Sequence, residues 1–348
     1  MKKGIVALVV LAIIGLVGFI FGKPYYDLHF GTTGLNVEKT IYIPTGSSLS
    51  DIGDLLDADV MAKSDFLSYA EKLEFTEEKV EAGKYTFQPN SKAKEVIYAL
   101  KNGNQEVKDV RITFNNCKTI MDMAGKVAPN IEADSAEIVD YIMKPETISK
   151  YGFKEETIIA LFLPDTYEVG EWDMTAEEFV QFMADQFKAF WNNEGAGRGS
   201  KLANLNLSQS EVATLASIIE SEQGAFPQEW ETIAGLYLNR IRNGWLLQSD
   251  PTAKFCWGDE LADTQRLLFV HMQRDCPYNT YIHPGLPPGP IKMVSKKAID
   301  AVLNAEKHNY FYMCARPDNS GLHNFANSLS EHNRNAAAFS RYMDSLGL

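Results

Sequence analysis

The polarity pattern divides the chain into blocks of different period. From Gly4 to Gly22 no side chain is charged or polar, and Lys2 and Lys3 precede this 19-residue run. As a helix rising 1.5 Å per residue it spans roughly 28 Å, close to the ~30 Å hydrocarbon core of a bilayer. The pattern predicts a transmembrane helix over residues 4–22 with a cytoplasmic tip at 1–3, because flanking lysines stay inside. A cleaved signal peptide is the alternative, but its apolar region is usually about 7–15 residues and ends in a small-x-small site. Here the run closes on Phe19-Ile20-Phe21-Gly22-Lys23-Pro24, a poor cleavage site. Residues 23–37, with Gly31 and Gly34, read as a spacer.

Beyond the spacer the period is two and then 3.6, and this happens twice. Ile41-Tyr-Ile-Pro-Thr-Gly46-Ser-Ser48-Leu-Ser-Asp51-Ile52 aligns with Ile112-Thr-Phe-Asn-Asn-Cys117-Lys-Thr119-Ile-Met-Asp122-Met123 at an offset of 71 positions. Each copy predicts a short alternating strand, a turn, and a Ser/Thr-capped amphipathic helix. A further strand is expected at Gly83–Phe87 and a helix at Ala93–Lys101. From about Tyr151 the texture changes. Leu161-Phe-Leu-Pro164-Asp165-Thr166-Tyr167 is an apolar run stopped by a turn, and a helix carrying Phe179, Phe182, Met183, Phe187 and Phe190 follows. Asn192 to Ser200, with Gly195, Gly197 and Gly199, predicts a flexible linker. No strand precedes it and no Gly-Lys-Ser/Thr ends it, so it is not a phosphate-binding loop.

The next helix has a sharp start. Ser208-Gln-Ser-Glu211 has capping-box spacing, Val212, Leu215, Ala216 and Ile219 follow at helical intervals, and Gly224 is placed to end it. Glu220 and Glu222 sit near its C-terminal end. At 100° per residue they point about 160° apart, so a regular helix cannot aim both at one substrate. The pattern does not choose between them. Ile218 pulls the apolar stripe toward Glu222, which lies nearer its centre, and either carboxylate could simply be solvated.

Composition narrows the chemistry. At 348 residues the chain holds roughly two to three domains, and its 45% hydrophobic share supports real cores. A net charge of −13, with no basic run longer than two residues, argues against nucleic acid as a partner. Cys117, Cys256, Cys276 and Cys314 have no CxxC spacing and no nearby His cluster, so no metal is expected. Cys256 and Cys276 flank one candidate loop and are the pair to test for a disulfide, although four unrelated buried thiols are the commoner outcome. No Gly-x-Ser-x-Gly elbow occurs, which disfavours a serine hydrolase.

The segment Leu215-Ala-Ser-Ile-Ile-Glu220-Ser-Glu222 resembles the signature helix of the YceG-like family, the endolytic murein transglycosylases. Further blocks follow in that family's order: Leu247-Gln248-Ser-Asp250-Pro251-Thr252, Tyr278-Asn279-Thr280-Tyr281, Gly285 to Ile291, His323-Asn-Phe325, and His332-Asn333. The upstream Leu161 to Tyr167 block and the anchor–module–catalytic layout also match, so the resemblance covers nearly the whole chain. It implies that Glu220 is the catalytic acid and that no cofactor is used. The departures are Asn116 and Cys117, where a Gly turn is usual, and Ser221 after the Glu.

The resemblance and the pattern together predict an α+β protein. A single N-terminal transmembrane helix precedes a small LysM-like module at 38–105, a second, degenerate module at 106–150, and a mixed α+β transglycosylase domain at 151–348. The substrate expected is the peptidoglycan glycan strand, cleaved outside the cytoplasmic membrane near the synthases. Gln248, Asp250 and Thr252 are expected on a rigid loop, hydrogen-bonding sugar hydroxyls. Tyr278 and Tyr281 are candidates for sugar stacking, Asn279 for an N-acetyl group, and Thr280, Glu222 and His323 for further substrate contacts. A water-using muramidase would need a second carboxylate, for which Asp250 is the candidate. A catalytically silent peptidoglycan-binding scaffold is the rival outside enzymes.

Overall fold

A computed structural model describes residues 2–57, 59–103, 110–261, 264 and 267–347, with the backbone alone at residues 2–9, 14 and 21. The chain divides into two compact units, Met1–Arg111 with Asn130–Ala133 and Glu168–Thr175, and the remainder from Ile112 to Leu348.

The first unit opens with helix α1, Lys2–Phe30, which contains a stretch, Val10–Phe30, long and apolar enough to cross a membrane. The helix therefore takes in part of the expected spacer. Its end is not free, because Leu28 is buried in the core and α1 packs on α4 (Ala93–Lys101). Strands β1 (Lys39–Ile43) and β2 (Gly83–Phe87) pair antiparallel with Ile41 opposite Tyr85. Helices α2 (Leu49–Asp57) and α3 (Lys63–Lys72) lie between them in sequence. Ile41, Ile43, Tyr85 and Phe87 point from the two strands into one apolar core with Ile52, Leu56, Phe66, Val96 and Leu100. The alternation that predicts these strands is the alternation that fills this core. Ser48 and Asp51 form the predicted cap, with Asp51 N donating to Ser48 Oγ at 3.2 Å and Ser48 N to Asp51 Oδ2 at 2.8 Å.

In the second unit the repeat is realised again: β3 (Arg111–Phe114), a turn, then α5 (Ile120–Val127) capped by Thr119 and Asp122. Asn116 takes the left-handed conformation, φ 53°, which lets this copy turn without a glycine. β3 pairs with β4 (Asp165–Glu168), so the run ending at Tyr167 continues as strand and does not stop in a turn. Helices α6 (Ser135–Met143) and α7 (Pro145–Lys150) lead to α8 (Ala176–Trp191), which buries Phe179, Met183, Phe187 and Phe190. The expected linker over 192–200 is instead a 3₁₀ turn at Glu194–Ala196 followed by α9 (Arg198–Leu205). Gly197 supplies φ 61° between them. Arg198 holds the segment down with two bonds to Asp300, 2.7 and 2.8 Å, and one to Phe190 O.

The centre of this unit is α10, Gln209–Glu222, started by the Ser208–Glu211 capping box. Every residue from Val212 to Ile219 is buried, so the helix is sheathed on all sides and not only along one stripe. It packs on α11 (Trp230–Arg242), α12 (Asp250–Phe255) and α13 (Lys296–Leu303). Gln223 closes it through a bond to Ile219 O, and Gly224 does not serve as a left-handed cap. The hairpin β5 (Tyr312–Ala315) and β6 (His323–Ala326) and helix α14 (Leu329–Ser345) complete the unit.

Candidate active site

The last turn of α10 leaves the core and delivers Ser221 and Glu222 to a cavity of about 660 Å³. Among the described residues, α12 contributes Asp250, Pro251, Lys254 and Phe255 to its wall, and the start of α5 contributes Lys118 and Thr119. Ile291 and Lys292 come from the proline–glycine segment. That segment lies close against its neighbours: a Cβ on Gly289 would overlap the Glu156 carbonyl, and Ile291 N donates to Ser217 Oγ at 3.0 Å.

The two glutamates have different surroundings. Glu220 Oε2 lies 3.2 Å from Lys292 Nζ and accepts a bond from Ser295 N at 3.3 Å. Glu222 keeps some exposure as a residue, but its carboxyl end is enclosed, and burial pushes its pKa up to about 7. The bond from Ser249 Oγ, 2.8 Å, acts against that rise, as do Tyr237 and Arg240, while Asp250 adds to it. Tyr237 is fully buried on α11, and Arg240 one turn further on donates to the Phe311 and Leu247 carbonyls. Such a carboxyl can hold a proton at neutral pH and give it up.

The remaining expected residues fall into two groups. Asp250 lines the cavity and accepts a hydrogen bond from the Tyr281 hydroxyl, whose pKa is raised by burial and then by Asp250. Gln248 is exposed, with φ 47°, and its N–H donates to Thr280 O at 3.0 Å. Tyr278 is half-buried with its ring 4.6 Å from that of Phe255.

Thr252, Asn279 and Thr280 are turned inward, contrary to the expected sugar contacts, and each is at most 1% exposed. Thr252 and Thr280 join hydroxyls at 2.7 Å, and Thr280 Oγ1 accepts from Ser249 N. Asn279 spends its amide on the Met272 and Arg274 carbonyls and its oxygen on Tyr281 N. Nor is Asp250–Thr252 a loop: it opens α12, with Pro251 in the first turn. His323 lies in a separate cluster, where its backbone N–H and Nδ1 each approach the buried Glu229 carboxylate at 2.9 Å beside Gln223.

Cys256 and Cys276 are joined as a disulfide, which ties the end of α12 to the approach to Tyr278. No group of three or more His, Cys, Asp or Glu residues able to hold a metal occurs among the described residues.

Sequence reasoning singles out neither Lys118, Lys254 and Lys292 nor the supports Tyr237, Arg240 and Ser249. Only Ser249 carried a signal, lying inside a block matched by resemblance. The others are isolated polar residues whose position emerges from tertiary packing.

An enclosed carboxyl at the end of a core helix thus meets an open cavity beside a second carboxylate and hydroxyls. The chain belongs to the YceG-like family, whose model matches residues 41–338. It is similar to the endolytic murein transglycosylase of Bacillus subtilis (strain 168), 25% identical over 313 residues, covering 84% of this chain and 82% of that protein. It is also similar to the endolytic murein transglycosylase of Streptococcus pneumoniae serotype 2 (strain D39 / NCTC 7466), 26% identical over 361 residues. That match covers 95% of this chain, which spans 64% of the pneumococcal protein's length. A crystal structure of a YceG-like protein from Listeria monocytogenes superposes with a TM-score of 0.54 at 25% identity, covering 85% of this chain and 98% of that one.

Proposed function

We propose that this chain is an endolytic peptidoglycan transglycosylase that cleaves between N-acetylmuramic acid and N-acetylglucosamine without water, and that Glu222 is its acid–base group. Membership of the family supports the reaction class. The single observation that carries the residue is the enclosed Glu222 carboxyl with its pKa near 7 on the wall of the cavity. The resemblance puts this role on Glu220 instead, and Glu220 remains the rival within the helix. Its carboxylate is engaged by Lys292 at 3.2 Å, and it is not among the described residues of the cavity wall.

In this reading Glu222 protonates the glycosidic oxygen as positive charge grows at the anomeric carbon. The resulting carboxylate takes the proton of the muramoyl 6-hydroxyl, whose oxygen closes onto that carbon as a 1,6-anhydro ring. One group performs both transfers, so the second glutamate on the far side of the helix is not required. A second reading, the water-using muramidase, is favoured by one observation: Asp250 lines the same cavity as Glu222.

The rest of the proposal is coarser. The apolar part of α1 anchors the chain with Lys2 and Lys3 inside and the catalytic unit outside. The module at 38–105 is LysM-like and meets glycan, 106–150 is its degenerate copy, 151–348 is the catalytic domain, and synthases at the membrane are partners. Mass spectrometry of muropeptides released from purified sacculi in heavy-oxygen water tests the chemistry. Anhydro-muramic ends without label are expected. Labelled reducing ends move the chain to the muramidases, and no release from a folded, glycan-binding protein makes it a scaffold.

A further inference from the structure

Among the described residues three lysine side chains line the cavity, and two of them are committed. Lys292 is paired with Glu220 at 3.2 Å, and Lys254 donates to Thr264 O at 2.9 Å. The Lys118 ammonium has no hydrogen bond or ion pair among the described residues. The nearby Asp122 carboxylate accepts from the backbone N–H groups of Lys118 and Thr119, at 2.9 and 3.0 Å, and feels the Lys118 charge without closing an ion pair with it. The backbone beneath is held, since Cys117 is buried and its carbonyl accepts Met293 N at 3.2 Å. The other charges on the wall, Glu222, Asp250 and Asp259, are acidic or become so, in a chain of net charge −13.

We infer that Lys118 binds a carboxylate of the peptide stems borne by the glycan strand, and so helps to decide which strands are cleaved; this rests on the reading of the cavity as a peptidoglycan site. The sugars of the strand are neutral, and its anionic groups are carried by the stems on the muramoyl lactyl group. An anion entering the cavity meets acidic groups on part of the wall and attraction at Lys118, the one lysine described there that makes no hydrogen bond or ion pair. The second copy of the strand–turn–helix repeat thereby lends its turn to substrate recognition.

The test compares kcat and KM of the full chain on peptide-bearing strands with free stem carboxylates and on the same strands with those carboxylates amidated, counting anhydro ends. Stripping the stems would instead free a lactyl carboxylate on each muramoyl residue. Lys118→Ala should lower the preference for strands with free stem carboxylates on the order of three- to fivefold, the range of a solvent-exposed charge pair, and through KM. Lys118→Arg should retain the preference, and high salt should erode it in the parent protein. An equal change on both substrates assigns Lys118 a structural role, and no change on either removes it from binding; both overturn the inference. If the parent protein releases no anhydro ends from either substrate, the reading of the cavity falls first and this inference with it.

Discussion

The cavity wall and the seam directly behind it are built from the same short motifs, yet they handle polar groups in opposite ways. On the wall, Asp250 and Lys118 carry charge toward open space, and the enclosed Glu222 carboxyl is left with its burial and the nearby Asp250 charge only partly relieved. In the seam, Thr252, Asn279 and Thr280 are fully enclosed and their hydrogen bonds close on one another and on the backbone. Residues of one motif thus divide between chemistry and scaffolding, and neighbours in sequence fall on different sides. Asp250 faces the cavity, while Ser249 before it and Thr252 after it do not.

The largest expected effect separates wall from seam outright. Glu222→Gln should lower turnover by about 10²–10⁴-fold, the usual contribution of an acid–base group, without loss of melting temperature. Glu220→Gln should cost less than about tenfold in turnover while losing about 1–2 kcal/mol of stability with its charged hydrogen bonds. The reverse ranking in a muropeptide assay would return the catalytic role to Glu220.

Asn279→Ala probes the seam. It strands two part-buried carbonyls and an N–H, so unfolding in urea should show a loss of about 1–3 kcal/mol. Turnover per folded molecule should change far less than in Glu222→Gln; an inactive but fully stable variant would mean that Asn279 reaches substrate after all. The disulfide joins the two walls across a separation of 20 residues. Replacing both Cys256 and Cys276 by Ser should cost about 3 kcal/mol, measured the same way, if the bond chiefly restricts the unfolded chain.

The smallest effects concern proton affinity. With a folded pKa near 7 against an unfolded value of 4.5, Glu222 is held protonated by the native state. Its contribution to stability is complete below about pH 4.5 and is lost as pH rises through about 7. The melting temperature of the parent protein should therefore fall relative to Glu222→Gln between pH 5 and 8, and kcat/KM should decline on its basic limb near pH 7. Ser249 donates across the boundary between seam and wall, and its bond lowers the Glu222 pKa. Ser249→Ala should shift that basic limb to higher pH, and a shift the other way would break the assignment.

Much of the scaffold was legible. The strand at Gly83–Phe87 and the helix at Ala93–Lys101 lie where alternation and helical spacing place them, and the caps at Ser48, Thr119 and Ser208 are formed. These features are local, so a short window of sequence contains their cause. The Cys256–Cys276 pairing and the placing of Asp250 and Thr252 depend on contacts distant in the chain. Helix α12 did leave a local trace: an acidic residue followed by Pro251 is a helix-start signal that a loop reading overlooks. The glutamates show the limit most plainly. Spacing says that they diverge, and the apolar-stripe argument leans toward Glu222. Only the packing of α11 and α12 reveals which carboxyl is enclosed.

Helix α1 has a mechanical consequence. The helix continues past the ion-paired Lys23 and Asp27 to Leu28, which is buried in the module's own core, and Gly31 N closes the last turn on Asp27 O. The module is thus socketed on a shaft and not hung from a string. With the apolar stretch held in a bilayer, the 21 residues from Val10 to Phe30 fix its height at about 1.5 Å per residue, with no slack to pay out. Pro24 removes one rung of the helix ladder and is the natural place for the shaft to flex. Such a joint lets the module tilt and rotate about the helix but not slide along it.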